Sequence, residues 1–204
     1  MRPFPPVKEA YTNLVLSAAY AVLAIQAIQI AVRSHQVLAA VYFAIHLVLA
    51  VLFLVRHRTI ARSPYPLGYA GAIVATFYVY FYAYTTPTGG SAGRLGAHLM
   101  LAGAVVCLLA VLSLGRNFGI LPTYRGVETR LMYRIVRHPI YASYVIMDAG
   151  IVLGYTSWRN LGLFALGLAL IAIRVHYEEL VLRQDEAYVA YTRRVRYRIL
   201  PFVY

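Results

Sequence analysis

Six apolar blocks constrain the fold of this chain more than any other feature. They cover approximately residues 12–32, 35–55, 67–86, 95–114, 139–157 and 160–177. A helix of ~20 residues spans the ~30 Å hydrocarbon core of a bilayer, and each block has about that length. The chain is 61% hydrophobic and only 13% charged, unlike a soluble globular protein. The pattern predicts an all-α, polytopic membrane protein with about six transmembrane helices.

The basic residues are distributed unevenly among the loops that join these blocks. Sixteen of the 19 Lys and Arg residues fall on one side of the predicted bundle, and three on the other: Arg33, Arg94 and Arg159. Because Lys and Arg concentrate in cytoplasmic loops, both termini are predicted to be cytoplasmic. The protein is therefore predicted to be an integral membrane protein, located in the inner membrane if the source is prokaryotic.

The net charge of +12 needs no nucleic acid to explain it. It is concentrated where anionic lipid headgroups would attract it, and no nucleic-acid motif accompanies it. The lipid bilayer is therefore the predicted partner, and no protein partner is inferred.

The chain divides into two parts of different character. Residues 1–114 are predicted to be an N-terminal transmembrane bundle of four spans. Residues 115–204 hold 12 of the 19 basic and six of the seven acidic residues. We expect this second part to contain a cytoplasmic link, a helical hairpin and a basic amphipathic tail, and to be the place of any chemistry.

The stretch RHPIYASY, which begins at Arg137, marks the predicted cytoplasmic end of the fifth helix. Pro139 suits the first turn of a helix, and a free helix N-terminus beside Arg137 and His138 would favour an anionic group. The link to the sixth block is so short that the two helices must form an antiparallel hairpin. That hairpin brings Glu178 and Glu179 alongside Arg137 and His138. The sequence thus predicts a cytoplasmic pocket of arginine, histidine, carboxylates and tyrosines, which the basic tail closes.

The order YRIVRHPIYASY, then EE one helix later, then EAYVAYTRRVRYRILP resembles the isoprenylcysteine carboxyl methyltransferase and phospholipid methyltransferase superfamily. The similarity covers roughly residues 112–201. It implies S-adenosylmethionine as cofactor and a lipidic or amphiphilic membrane molecule as methyl acceptor. Two positions depart from the family pattern: Ser143 replaces a usual glycine, and Arg196 replaces a frequent proline.

The resemblance also implies roles for individual residues. Arginine, histidine and the helix end suit the carboxylate or adenine of the cofactor, a glutamate suits its ammonium or ribose, and tyrosine faces suit its sulfonium. The predicted cofactor-binding residues are Tyr133, Arg137, His138, Pro139, Tyr141, Glu178, Glu179 and Tyr191. The predicted catalytic residues are Glu178 and Arg194, with a glutamate taking the proton if the acceptor is an amine. The predicted substrate-binding residues are Arg116, Asn117 and Asp148.

Some of these residues also have a structural interpretation. Glu178 and Glu179 stand four residues from Arg174 and Arg183, a spacing that suits ion pairs on a solvated helix end. Asp148, near the middle of the fifth block, is either a neutral structural hydrogen-bonding group or part of a substrate passage. No metal is predicted, because the six histidines form no paired cluster.

Two other classes of protein share parts of the pattern. Sterol-type reductases bind a reduced nicotinamide cofactor through a related C-terminal region, although the shortness of this chain counts against them. A non-catalytic protein that only binds anionic lipid would have the same basic face. A Rossmann domain is excluded because no G-x-G-x-x-G follows a strand. A prenylcysteine carboxylate, a phospholipid amine and a small thiol all remain open as acceptors.

Overall fold

The computed structural model describes residues 6–201, over which the chain forms seven α-helices and one two-stranded sheet. The helices are α1 (Pro6–Ser34), α2 (Val37–Val55), α3 (Pro66–Phe77), α4 (Gly90–Leu114), α5 (Pro139–Gly154), α6 (Trp158–Leu182) and α7 (Glu186–Arg194). The strands β1 (Ala61–Arg62) and β2 (Thr123–Tyr124) pair in an antiparallel manner. Short 3-10 helices cover Tyr78–Phe81, Gly115–Asn117 and Leu131–Arg134.

Each of the six apolar blocks forms a helix, so the prediction of an all-α membrane fold is confirmed. Four helices, α1, α2, α4 and α6, are long and apolar enough to cross a membrane. The other two are shorter, because α5 has 16 residues and α3 has 12 before its four-residue 3-10 turn. Six crossings and the division at residue 114 stay predictions.

The first helices expose large apolar side chains over much of their length. These side chains include Leu14, Val22, Ile30, Leu47 and Leu54, which are 46% to 61% exposed. A continuous apolar surface of this kind suits hydrocarbon rather than water. The exposed faces of α1 and α2 are therefore the lipid-facing surface expected of membrane-spanning helices.

Glycines bring α4 and α5 into close backbone contact. A Cβ atom on Gly96 would lie 2.5 Å from the backbone nitrogen of Gly154, and one on Gly150 would lie 2.7 Å from that of Met100. Small residues allow membrane helices to approach this closely and to gain packing energy. The contact fixes the position of α5, and with it the position of Asp148, relative to α4.

The link between α4 and α5 folds against the cytoplasmic side predicted for the bundle. Its strand β2 pairs with β1, which lies between α2 and α3. Within the link, Arg125 forms an ion pair with Glu9 of α1 at 2.8 Å, and both side chains are buried. The same guanidinium donates a hydrogen bond to the His57 carbonyl. The link is thus attached to the beginning of α1 and to the end of α2.

Candidate active site

A cavity of about 670 Å³ connects the link between α4 and α5 to the interior of the helix bundle. One part of its lining, the charged end, contains Arg137, His138 and Glu178. Another part, the deep end, contains Tyr78, Tyr82 and Asp148. Apolar side chains also line the cavity, among them Ile45, Leu49, Val111, Ile140 and Ile151. The cavity therefore offers charged, apolar and hydrogen-bonding surfaces to one bound molecule.

Glu178 lies at the charged end and has two polar neighbours. Its Oε1 accepts a hydrogen bond from the Tyr141 hydroxyl at 2.6 Å, and its Oε2 lies 3.5 Å from His138 Nδ1. The start of α5 therefore meets the end of α6, as the short link between these helices predicted. Glu178 has a fixed position and an oxygen atom close to a histidine nitrogen.

Glu179 is the centre of a buried charge cluster and does not line the cavity. Its carboxylate lies 3.1 Å from Arg137 Nη1, 3.2 Å from Arg183 Nη2, 3.3 Å from Arg198 Nε and 3.5 Å from His138 Nε2. The side chain of Glu179 is only 5% exposed. The i,i+4 pair with Arg183 exists, but the helix end is not solvated at Glu179. We refer to these five residues as the Glu179 charge cluster.

The segment after α7 completes the charged end through backbone hydrogen bonds. Arg137 N–H donates to the Tyr197 carbonyl at 3.0 Å, and His138 N–H donates to the Arg198 carbonyl at 2.7 Å. Arg137 Nη2 also donates to the carbonyl of Arg196 at 3.3 Å. Arg196 thus contributes a backbone carbonyl to the charged end.

The prediction of a free helix N-terminus at α5 is wrong for two of its three amides. Tyr141 and Ala142 both donate their N–H groups to the His138 carbonyl at 3.1 Å. Pro139 is fully buried and does not line the cavity. Ser143 is also fully buried, and its hydroxyl donates to the Ile140 carbonyl at 2.6 Å. The anion-binding capacity of this end therefore comes from side chains rather than from the helix terminus.

Three buried tyrosines line the cavity near its charged end: Tyr133, Tyr188 and Tyr191. The Tyr191 hydroxyl donates to the Tyr133 carbonyl at 2.6 Å, which joins α7 to the link. Burial raises the pKa of all three phenols above the usual value, and the Glu179 carboxylate raises the pKa of Tyr188 further. Their hydroxyls therefore stay protonated at neutral pH and act as hydrogen-bond donors.

Tyr141 and Arg174 form a cation–π pair in the cavity wall. The Tyr141 ring stacks on His138 with centroids 5.6 Å apart, and the Arg174 guanidinium lies 5.1 Å from the Tyr141 centroid. The Tyr141 ring therefore already contacts the Arg174 guanidinium and the His138 imidazole. Its predicted contact with a cofactor sulfonium stays a prediction, as it does for Tyr133 and Tyr191.

Arg174 is a cavity residue whose importance the sequence analysis missed. It is 6% exposed and donates from Nη2 to the Ile120 carbonyl at 2.5 Å. No carboxylate among the described residues lies within ion-pair distance of it. An unpaired buried cation is costly, so Arg174 is suited to receive an anionic group. Its place inside the last apolar block was the available signal.

At the deep end, Asp148 accepts a hydrogen bond from the Tyr78 hydroxyl. Asp148 is 3% exposed and also lines the cavity. Its hydrogen bond agrees with a structural role and its place in the lining with a substrate passage, so the choice between these two interpretations stays open. Tyr82 lies nearby in the lining and is 5% exposed. Its hydroxyl has no hydrogen-bond partner among residues 6–201.

The remaining predicted residues lie in different places. Asn117 lines the cavity beside Gly126, whose φ of 131° places it in a conformation that favours glycine. Arg116 is exposed and donates to the Val55 carbonyl at 2.7 Å, at the end of α2. Arg194 is exposed at the end of α7. Neither arginine lines the cavity, and the roles assigned to all three residues stay predictions.

The ion pair between Glu9 and Arg125 was also missed. Glu9 is the only acidic residue before Glu128, and this isolation in a basic chain was the available signal. Arg125 lines the cavity as well as pairing with Glu9. Within the described part of the chain, no group of three or more potential ligand side chains is placed to hold a metal ion. Independence of metal stays a prediction.

The model of the phospholipid methyltransferase family matches residues 91–185. This part of the chain belongs to that family, which is grouped with isoprenylcysteine carboxyl methyltransferase. The resemblance stated from the sequence is thereby confirmed. The match includes α4, so it begins earlier than residue 112, and it ends before the tail. No curated protein matches the chain.

Proposed function

We propose that the protein transfers a methyl group from S-adenosylmethionine to a lipidic or amphiphilic acceptor. The observation that supports this most directly is the cavity, which combines Arg137, His138 and Glu178 with an apolar wall inside the bundle. Membrane methyltransferase activity on lipid-type substrates follows from the family. The identity of the cofactor and the class of acceptor are our proposals.

The side chains at the charged end fit the polar groups of S-adenosylmethionine. Glu178 offers carboxylate oxygens to an ammonium or to ribose hydroxyls, and Arg137 has a buried Nε–H without a hydrogen-bond partner among the described residues. His138 can donate or accept through its ring. S-Adenosylmethionine bound there would supply an electrophilic methyl group on a positively charged sulfur.

The protein side chains would then position the acceptor and control its proton. If the acceptor is an amine, Glu178 Oε2 is the proton acceptor we propose, since Tyr141 already occupies Oε1. If the acceptor is a carboxylate, no base is required. Tyr133, Tyr188 and Tyr191 are buried around this end of the cavity and exclude water from it. Positioning and water exclusion supply much of the rate in reactions of this kind.

Arg174 supports an acceptor with an anionic group. Among the described residues, no carboxylate lies within ion-pair distance of its buried charge, and it lines the same cavity as Glu178. A carboxylate or a phosphodiester would neutralise it through charge-assisted hydrogen bonds. This favours a prenylcysteine-type carboxylate or a phospholipid over a small neutral thiol.

The first test is calorimetric titration of detergent-purified protein with S-adenosylhomocysteine. We expect binding that weakens by about tenfold or more in His138→Ala and in Glu178→Gln, because the first change removes a hydrogen-bonding side chain and the second removes a carboxylate. The matched controls are His176→Ala and Glu186→Gln, since both residues are exposed on the neighbouring helices. Their affinities should equal that of the unchanged protein.

A reduced nicotinamide dinucleotide is titrated alongside to test the sterol-type reductase. Binding of the nicotinamide alone would replace the methyltransferase proposal with that of a reductase. Binding of neither compound to folded protein would contradict both enzymes and favour a protein that only binds anionic lipid.

A further inference from the structure

We propose that Asp148, Tyr78 and Tyr82 form a second polar subsite, which binds a hydroxyl group in the interior of the methyl acceptor. The inference rests on the methyltransferase function proposed above and narrows its substrate class. The acceptor would be a hydroxylated amphiphile, with its reacting head at the charged end and its hydroxyl at the deep end.

The deep end contains hydrogen-bonding capacity that the protein itself does not use. Tyr78 donates to Asp148 Oδ2, and no described residue donates to Oδ1. The Tyr82 hydroxyl is buried in the cavity lining without a partner among the described residues. Unpaired buried polar groups cost free energy that a ligand with matching groups recovers. The cavity therefore favours a ligand that is polar at this depth.

A hydroxyl group matches the two unused positions better than other groups do. It can donate to the Asp148 carboxyl group and accept from the Tyr82 hydroxyl at the same time. It can also bind Asp148 in either protonation state, because a hydroxyl both donates and accepts. An ammonium would require an ionised Asp148, and a purely apolar chain would leave both groups unpaired.

Close packing holds the subsite in place before any ligand binds. A Cβ atom on Gly167 of α6 would lie 2.6 Å from the Tyr78 hydroxyl, so the ring rests directly on the α6 backbone. The α5 backbone beside Asp148 also packs closely on α4. A Cβ atom on Gly103 of α4 would lie 2.9 Å from the backbone nitrogen of Met147. A subsite with fixed donors and acceptors loses little entropy on binding.

The helix geometry sets the distance between the two polar parts of the acceptor. Tyr141 contacts Glu178 at the charged end, and Asp148 lies two turns further along α5. Seven residues at 1.5 Å per residue place the subsite about 10 Å from the charged end. The cavity lining includes Leu49, Val111 and Ile140 as well, so the part of the acceptor between its head and its hydroxyl is apolar.

The test compares the binding of ω-hydroxydecanoate and decanoate, which differ only in the distal hydroxyl group. Calorimetry on the detergent-purified protein should give an affinity about tenfold higher for the hydroxylated probe, the factor expected of one hydrogen bond to a polar buried group. The preference should disappear in Tyr82→Phe. It should persist in Tyr65→Phe, which removes a hydroxyl from a residue that lies outside the cavity lining and is 46% exposed.

The outcomes distinguish this inference from the proposed function. Equal affinities for the two probes, including no measurable binding of either, would overturn the subsite, as would a preference that survives in Tyr82→Phe. Tighter binding of ω-aminodecanoate than of ω-hydroxydecanoate would replace the hydroxyl with a cation. S-Adenosylhomocysteine affinity should be the same in Tyr82→Phe as in the unchanged protein, so loss of the subsite leaves the cofactor proposal standing. Thermal unfolding of Tyr82→Phe checks that the fold is retained.

Discussion

At the scale of residues, Glu178 and Glu179 are adjacent in the sequence but differ in surroundings. Glu178 lines the cavity and contacts Tyr141 and His138. Glu179 is turned away from the cavity and neutralises arginines from the start of α5 and from the chain after α7. One carboxylate is thus open to the cavity, where we propose that it binds ligand, and the other is enclosed by cationic side chains of the protein.

We predict that Glu179→Gln lowers the free energy of unfolding by about 3–5 kcal/mol, since it leaves buried cations without their counter-ion. Glu178→Gln should change stability much less while it weakens S-adenosylhomocysteine binding. Cys107 provides the measurement, because it is the only cysteine and is 4% exposed. A thiol-reactive fluorophore added during heating reports when Cys107 becomes accessible. Equal unfolding midpoints for the two variants would show that Glu179 is not the structural centre.

At the scale of elements, the contact between α4 and α5 determines where the deep end of the cavity lies. The glycines of both helices remove the side chains that would otherwise separate them. Since Asp148 belongs to α5, its distance from the neighbouring tyrosines depends on this contact. A change at the glycines should therefore affect both stability and the position of the deep end.

We predict that Gly150→Ala destabilises the protein by about 1–3 kcal/mol, because the added methyl group meets backbone atoms of α4 that cannot rotate away. Gly154→Ala is the matched control on the same helix, since a Cβ atom there meets nothing within 4 Å. The Cys107 unfolding assay should give a lower midpoint for Gly150→Ala alone. Similar midpoints for both variants would contradict the close helix contact.

The side chain of Asp185 caps the beginning of α7. Its carboxylate accepts hydrogen bonds from the Tyr124 hydroxyl and from the Ala187 amide, the latter at 2.7 Å. The hydrogen bond from Tyr124, followed by that from Ala187, lowers the pKa of Asp185 below its usual value of 3.8. A lowered pKa means that this stabilisation is complete above pH 3.8 and is lost as the pH falls below it.

We predict that the amides of α7 in the unchanged protein lose protection from hydrogen exchange as the pH falls below 3.8, after correction for the intrinsic exchange rate. Asp185→Asn should lack this acid-dependent step, since asparagine can still cap a helix but does not titrate. Hydrogen exchange followed by mass spectrometry of the α7 peptide measures both. The same acid-dependent step in both proteins would assign it to another group.

At the scale of the whole molecule, the charge distribution predicts which ends of the helices face the cytoplasm. The charged end of the cavity lies on the side that the six-span topology predicts to contain 16 of the 19 Lys and Arg residues. This orientation would give the site access to a water-soluble cofactor, while the apolar faces of α1 and α2 contact lipid.

We predict that Thr129→Cys reacts from the cytoplasmic side and Ser91→Cys from the opposite side, each in a Cys107→Ala background. Both positions are exposed. A membrane-impermeant maleimide added to sealed vesicles of known orientation distinguishes the two sides. Labelling of both residues from one side would contradict an arrangement in which α4 crosses the membrane.

Local sequence relations predicted more of this molecule than long-range ones did. The lengths of the apolar blocks predicted six helices, and the short link between α5 and α6 predicted that His138 and Glu178 meet. The contacts of Asp148 with Tyr78 and of Glu9 with Arg125 depend on how distant helices and links pack. Periodicity determines which residues share a face, but it does not determine which neighbouring helix that face contacts. The backbone hydrogen bond between Arg137 and Tyr197 of the tail could not be predicted either, because a pattern of side chains carries no information about it.

The shortness of α3 has a consequence for the surrounding lipid. Leu67, Ile73, Val74 and Phe77 of this helix are 48% to 57% exposed, so they form a lipid-facing surface. With its 3-10 turn, α3 is about 25 Å long, whereas the hydrocarbon core is ~30 Å thick. If α3 crosses the membrane as predicted, such hydrophobic mismatch would make the bilayer thinner beside it. Lipid headgroups next to α3 would then lie closer to the midplane than elsewhere, and the path of the proposed amphiphilic acceptor into the cavity would be shorter.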